Sequence, residues 1–182
     1  GTYICAAAIT NQKLKIEKVI PLHLEAVISK LEEMNFEVLQ DENSVTILPT
    51  TEIKPVNIIT TEYPGFPTDM QAQIMTLNCI AHDTAKMTET IFENRYMHVP
   101  ELIRMGARID VEGNVAVIHG VDKLYGAEVM ATDLRASASL VLAGMFAEGV
   151  TEVDRIYHLD RGYDKIENKL NKVGANIIRV KG

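Results

Sequence analysis

Between Pro21 and Met34 the apolar residues Leu24, Val27, Ile28, Leu31 and Met34 recur at helical spacing, with polar residues between them. This stripe predicts an amphipathic helix, and Pro21 suits its first turn, where a missing N–H removes no helical hydrogen bond. Val99, Leu102 and Met105 mark a shorter stripe, and Tyr163, Ile166, Leu170 and Val173 a third. The three endings are alike: LEEMNFEVLQ, LIRMGARIDV and LNKVGANIIR. Gly106 and Gly174 fit a left-handed helix stop, and Asn35, the next-best residue for that conformation, takes the corresponding place in the first. A strand-like segment follows each stop.

Upstream of each stripe lies a helix that is almost entirely apolar, over residues 2–9, 69–81 and 133–147. A helix with no polar face has to lie inside the domain. Each leads through a polar turn into a short strand (KLKIEK, KMTETIF and TEVDRI), and SVTIL, NVAVIHG and AEVMAT read as further strands. The pattern is therefore buried helix, strand, amphipathic helix, strand, over about 1–50, 68–120 and 132–182. A period of about 65–70 residues means packed supersecondary units rather than a solenoid of short repeats. The expectation is one α/β (α+β) domain across 1–182, with its helices inside and its sheets outside.

Two of the buried segments open on the same dipeptide, Thr68-Asp69 and Thr132-Asp133. The commoner role for such a pair is to cap the helix, accepting a backbone N–H and complementing the helix dipole. Spacing does not separate a cap from a catalytic carboxylate.

Composition narrows the partners. The formal net charge is −7, which disfavours nonspecific binding to nucleic acid. All seven arginines (Arg95, Arg104, Arg108, Arg135, Arg155, Arg161 and Arg179) nevertheless lie in the second half, so an anionic ligand could be held there. Most of them read as solvated surface residues. Cys5 and Cys79 sit in apolar stretches without a CxxC partner, and read as buried free thiols. No histidine pair has metal-ligand spacing. The longest apolar run, YICAAAI, is far too short to span a bilayer, and no basic-then-apolar leader is present. The chain opens with Gly-Thr directly before that run and reads as cut from something longer.

The segments YPGFPTDMQAQ, ETIFENRYMHVPELIRMGA, ATDLRASASLVLAG and RIYHLDRGYDKIENKLNKVGANI closely resemble the UDP-N-acetylglucosamine 1-carboxyvinyltransferases, the enolpyruvyl transferases of bacterial peptidoglycan synthesis. The resemblance runs from Gly1 to Gly182. It implies an inside-out α/β barrel domain of three repeated units, one of two such domains with the active site between them. It also implies that this chain is the C-terminal portion of a longer, cytoplasmic enzyme. The missing N-terminal half would supply a lysine, an asparagine and a mobile loop with a reactive cysteine, which neither Cys5 nor Cys79 matches. No cofactor, no metal, no nucleic acid and no membrane is implied. The 182 residues alone are expected to be inactive.

The resemblance also assigns roles. Asp69 matches the aspartate that binds the sugar 3-hydroxyl and acts as general base when that hydroxyl adds to phosphoenolpyruvate. Arg95, Arg135 and Arg161 match arginines around the phosphoenolpyruvate, whose phosphate and carboxylate each suit a planar guanidinium. Asp133 matches an aspartate near the reacting centre; capping its helix and orienting Arg135 both remain open. Ile91 matches a position that meets UDP-N-acetylglucosamine through its backbone, while its side chain reads as strand core. Glu93 and Asn94 adjoin Arg95 and could support it. Two rivals stand beside this reading: the same-fold transferase acting on shikimate 3-phosphate (or, more distantly, an RNA terminal phosphate cyclase), and a nucleotide-sugar-binding domain without chemistry.

Overall fold

The computed structural model describes residues 1–180. The first part of the chain forms α1 (Thr2–Ile9), β1 (Leu14–Glu17), a 3-10 turn at Pro21–Leu24 leading into α2 (Glu25–Glu33), β2 (Val38–Asp41) and β3 (Ser44–Ile47). The middle forms β4 (Ile58–Ile59), a 3-10 turn at Thr68–Met70 leading into α3 (Gln71–Asn78), β5 (Thr84–Thr88), α4 (Val99–Arg104), β6 (Arg108–Glu112) and β7 (Val115–His119). The last part forms β8 (Glu128–Met130), α5 (Leu134–Phe146), β9 (Glu152–Asp154), α6 (Tyr157–Asp160) and α7 (Ile166–Asn171).

Helices α1, α3 and α5 pack on one another, and the sheets lie around them. In α1 every residue but Tyr3 is buried, and in α3 all eight are. This is the inside-out arrangement that the apolar segments predict. Helix α3 is less apolar than α1, and two of its buried polar side chains, Asn78 and Gln73, reach partners across the core, whereas the Gln71 amide has none among the described residues. Asn78 exchanges two hydrogen bonds with the backbone of Val56, at 3.0 and 2.9 Å. Gln73 Nε2 donates to Thr2 Oγ1 at 3.2 Å, which ties α3 to the start of α1. Ile74, Met75 and Leu77 are fully buried between them, so truncation of any one to alanine should destabilise by about 2–5 kcal/mol.

The first sheet has the order β1-β3-β2, all antiparallel. The second has the order β4-β5-β7-β6, with β4 parallel to β5 and the rest antiparallel. Alternate residues on β5 and β7 (Ala85, Met87, Ala116 and Ile118) point inward and are buried against the helices. The predicted helix stops hold: Asn35, Gly106 and Gly174 have φ of 78°, 98° and 103°.

The third sheet departs from expectation. It is a parallel pair, β8 with β9, and the segment after Gly174 forms no strand among the described residues. The Asn171 side chain takes both backbone groups of Ile177, at 2.8 and 2.7 Å, so that stretch is held by an amide rather than by a ladder. Arg179 then clamps it to Asp160 and Glu167, with contacts of 2.7 and 3.0 Å. The third amphipathic stripe is also shorter than its spacing predicts. Helix α7 ends at Asn171, and Val173 is exposed.

Candidate active site

The two Thr-Asp pairs come apart in the structure. Pro67 is extended, with φ −73° and ψ 134°, and heads the 3-10 turn, so Asp69 falls inside the turn instead of at its cap. No side-chain hydrogen bond caps that turn. The Asp69 carboxylate points to arginines instead. Its Oδ1 lies 2.8 Å from Arg135 Nη2 and 3.5 Å from Arg95 Nη2. Asp133, by contrast, has extended backbone at the N-cap of α5. Its Oδ1 accepts from the backbone N–H groups of Arg135 and Ala136, at 2.7 and 2.9 Å. The capping reading thus holds for Asp133 and fails for Asp69.

Arg135 sits on the first turn of α5, and its hydrogen bond to Asp69 raises its pKa further above the ordinary guanidinium value. Arg95 follows Asn94, whose φ of 55° is left-handed, and its guanidinium lies 4.9 Å from the centre of the Phe92 ring. Such a cation–π contact adds to the Asp69 ion pair in restraining this arginine. His98, three residues on, is only 2 % exposed, and its Nε2 has no hydrogen-bond partner among the described residues. Burial pushes its pKa down to about 4, with Asp133 pulling it up and Arg95 pushing it further down. At neutral pH this is an uncharged imidazole beside the cluster.

The cluster borders a cavity of about 320 Å³. The starts of all three buried helices line it: Thr2 and Tyr3, Asp69 and Met70, Leu134 and Arg135. Their positive dipole ends add to the Arg135 guanidinium that lines it, with Arg95 behind the Asp69 carboxylate, so the cavity is arranged to receive an anion that takes over from Asp69. Gly162 lines it beside Leu134, where a Cβ would come within 2.7 Å of the Leu134 side chain. A larger depression of about 740 Å³ lies on the outer face of the second sheet, among Lys86, Asp110, Glu112 and Val117. It gathers no helix starts and no arginine, and we place the site in the smaller cavity.

Of the residues singled out from sequence, Asp69, Arg95 and Arg135 come together directly, and Asp133 anchors the backbone of Arg135. Arg161 ends α6 next to Gly162; it is exposed and, among the described residues, makes no ion pair with the cluster. Ile91 is not strand core. Strand β5 stops at Thr88, and Ile91 is 36 % exposed in the turn beyond it, its N–H donated to Glu89 Oε1 at 2.9 Å. Glu93 is exposed and makes no ion pair with Arg95. Glu89 opens the segment ETIFENRYMHVPELIRMGA, but nothing in the sequence marks it as buried. A lone glutamate between two threonines reads as the solvent side of a strand, whereas it is buried.

Buried helices ringed by sheets, with an arginine–aspartate cluster where the helices start, define the class: a family model described as EPSP synthase (3-phosphoshikimate 1-carboxyvinyltransferase) matches residues 1–170, and the chain belongs to that family. Among curated relatives it is 69 % identical over 182 residues to the UDP-N-acetylglucosamine 1-carboxyvinyltransferase of Aliarcobacter butzleri. It is 58 % identical over 180 residues to the protein of that name from a Nitratiruptor species. The chain spans 43 % of the length of each. Among solved structures it matches the enolpyruvyl transferase NikO from Streptomyces tendae with a TM-score of 0.88 and 29 % identity, covering 96 % of this chain and 42 % of that one. An EPSP synthase from Acinetobacter baumannii shares the fold, with a TM-score of 0.69 and 17 % identity over 100 % of this chain and 44 % of that one.

Proposed function

We propose that the protein carrying this chain transfers the enolpyruvyl group of phosphoenolpyruvate to the 3-hydroxyl of UDP-N-acetylglucosamine and releases phosphate. The observation that carries this reading is the Asp69 carboxylate gripped by Arg135 and Arg95 at the edge of an anion-receptive cavity. The identity of 69 % to a relative named for that acceptor favours the nucleotide sugar over shikimate 3-phosphate.

Phosphoenolpyruvate brings a phosphate and a carboxylate, and each competes with Asp69 for the same guanidiniums. Arg135 and Arg95 turn to the substrate, Arg161 closes on it from the end of α6, and Asp69 is released to meet the sugar. It takes the proton of the 3-hydroxyl as the oxygen bonds to C2, while C3 gains a proton. The tetrahedral adduct then expels phosphate from C2 and loses a proton from C3, which restores the double bond. Positioning and charge stabilisation supply the rest of the rate. Asp133 holds the start of α5, and with it Arg135, in register. Ile91 meets the nucleotide sugar at the rim, through the carbonyl left after its N–H is taken. This role lies in peptidoglycan synthesis in the bacterial cytoplasm; no helix among the described residues is long and apolar enough to cross a membrane.

The test is phosphate release by the protein extended to the full length of its relatives. Turnover with phosphoenolpyruvate and UDP-N-acetylglucosamine is expected, with none on shikimate 3-phosphate. The 182 residues alone are expected to release none. Preference for shikimate 3-phosphate, or binding of the nucleotide sugar with no phosphate released, overturns the reading.

A further inference from the structure

We propose that Glu89 is a positioning residue for this reaction, which fixes Asp69 and Arg95 relative to each other by joining the two loops that carry them. The proposal rests on the reading above. Glu89 lies one residue past β5 and is 2 % exposed, so it touches no substrate. Four donors converge on its carboxylate. Oε2 accepts from Thr68 Oγ1 at 2.9 Å. Oε1 accepts from Thr60 Oγ1 at 2.8 Å and from the N–H groups of Ile91 and Phe92 at 2.9 and 3.2 Å.

Three of the four donors belong to segments that carry the site, and the fourth ties the hub to the second sheet. Thr68 precedes Asp69 in the same 3-10 turn, and Glu89 is its side-chain partner. Ile91 and Phe92 open the turn that leads to Arg95, and the Phe92 ring lies against the Arg95 guanidinium. Thr60 continues the parallel pairing of β4 with β5. The backbone of Glu89 is fixed as well. Its N–H donates to Asn114 O at 2.9 Å, and its carbonyl accepts from Asn114 Nδ2 at 3.0 Å, in the turn between β6 and β7. The hub is thus referenced to the second sheet, and the two site loops are referenced to the hub.

The chemistry supports this placement. A carboxylate in a buried position is unfavourable unless its lone pairs are filled, and among the described residues no lysine, arginine or histidine forms an ion pair with Glu89. Hydrogen bonds to a charged acceptor are short and directional, which suits a group that must hold three segments at once. An apolar side chain would remove the burial penalty and leave the segments unjoined. Aspartate, one methylene shorter, would not span the same partners from that backbone position.

The decisive variant is Thr68→Val in the full-length enzyme, because it removes one hydroxyl and keeps the β-branched shape. We expect kcat to fall about 10–100-fold, as a misplacement of about 1 Å does, with the KM for UDP-N-acetylglucosamine within about threefold. Thr68→Ser restores the hydroxyl and should recover kcat to within about threefold of the unmodified enzyme. Thr76→Val is the structural comparison. Thr76 is buried on α3, which follows the turn that holds Thr68, and among the described residues its hydroxyl is bonded only to Ala72 O at 3.0 Å, so its variant should lower the melting temperature without lowering kcat. Unchanged kcat in Thr68→Val, no recovery in Thr68→Ser, or an equal kcat loss in Thr76→Val overturns the proposal. If the unmodified enzyme releases no phosphate from these substrates, the proposed function fails, and the positioning is decided by the crystal structure of Thr68→Val. An Asp69–Arg95 contact opened beyond its 3.5 Å supports it, and an unmoved contact overturns it.

Discussion

Replacing Asp69 by asparagine should separate chemistry from stability, and the structure gives the size of each. The Asp69 side chain is 56 % exposed and caps nothing, so the substitution removes an ion pair with Arg135 and no helix cap. An exposed pair of this kind contributes about 0–1 kcal/mol, screened by salt. For a domain of this size that is a fall in melting temperature of at most about 2–4 °C. The amide cannot take a proton. Loss of a general base removes about 10²–10⁴-fold of rate, or roughly 3–5 kcal/mol of barrier. Asp133 has the opposite profile. Asp133→Ala abolishes both N–H contacts at the start of α5 and should destabilise by about 1 kcal/mol. Asp133→Asn keeps an accepting oxygen and should melt close to the unmodified protein. Its turnover should fall less than that of Asp69→Asn, and its KM for phosphoenolpyruvate should rise more, because Arg135 hangs on this cap. The assay is steady-state phosphate release by each full-length variant beside a thermal melt. Equal, mild effects of both asparagine substitutions on turnover would refute the reasoning and move the base elsewhere. A drop in melting temperature that tracks the loss of turnover in Asp69→Asn would do the same.

Other predictions follow from single groups. Arg135→Lys keeps the charge but loses the two-pronged guanidinium, and should raise the KM for phosphoenolpyruvate about tenfold or more, read by phosphate release over a substrate series. His98, held neutral with a pKa of about 4, binds no proton between there and its ordinary value of about 6.5, whereas the unfolded chain does. Stability should therefore be full above that window and fall as pH drops through it, by on the order of 3 kcal/mol in all. Denaturant melts from pH 7 to pH 4 check this, and His98→Phe should flatten the profile. Burial pushes the Cys5 and Cys79 thiols up to about 12, so neither should react with a thiol reagent in the native protein and both should react in denaturant.

The architecture was legible because burial leaves a plain mark on composition. A segment such as TYICAAAI has no polar face to give to water, and only an interior position suits it. What failed to read were relations between distant segments. Thr68-Asp69 and Thr132-Asp133 look identical, yet the backbone before them decides which is a cap: Asp133 is itself the extended N-cap residue, whereas Asp69 lies inside a turn headed by Pro67. ANIIR has strand composition but no ladder partner among the described residues, and Asn171 takes the backbone groups that a ladder would have used. Ile91 reads as strand because it belongs to the strand-like run KMTETIF, while hydrogen bonds to Glu89 bend the chain away. Glu89 was invisible because Thr60 and Thr68 approach it from across the fold. Arg95 and Arg135 were picked out by resemblance, and their shared contact with Asp69 is a fact of three dimensions alone.

The packing of α1 against α3 and α5 has a consequence for how this protein is made. Of the three helices α1 leaves the ribosome first, but its last neighbour, α5, is finished about 140 residues later, which at about 5–20 residues per second is a delay on the order of 10 s. Throughout that interval an eight-residue segment, nearly all apolar, lacks part of the native surface that covers it. The nascent chain therefore carries an aggregation-prone segment through that interval, until synthesis supplies the rest of the core.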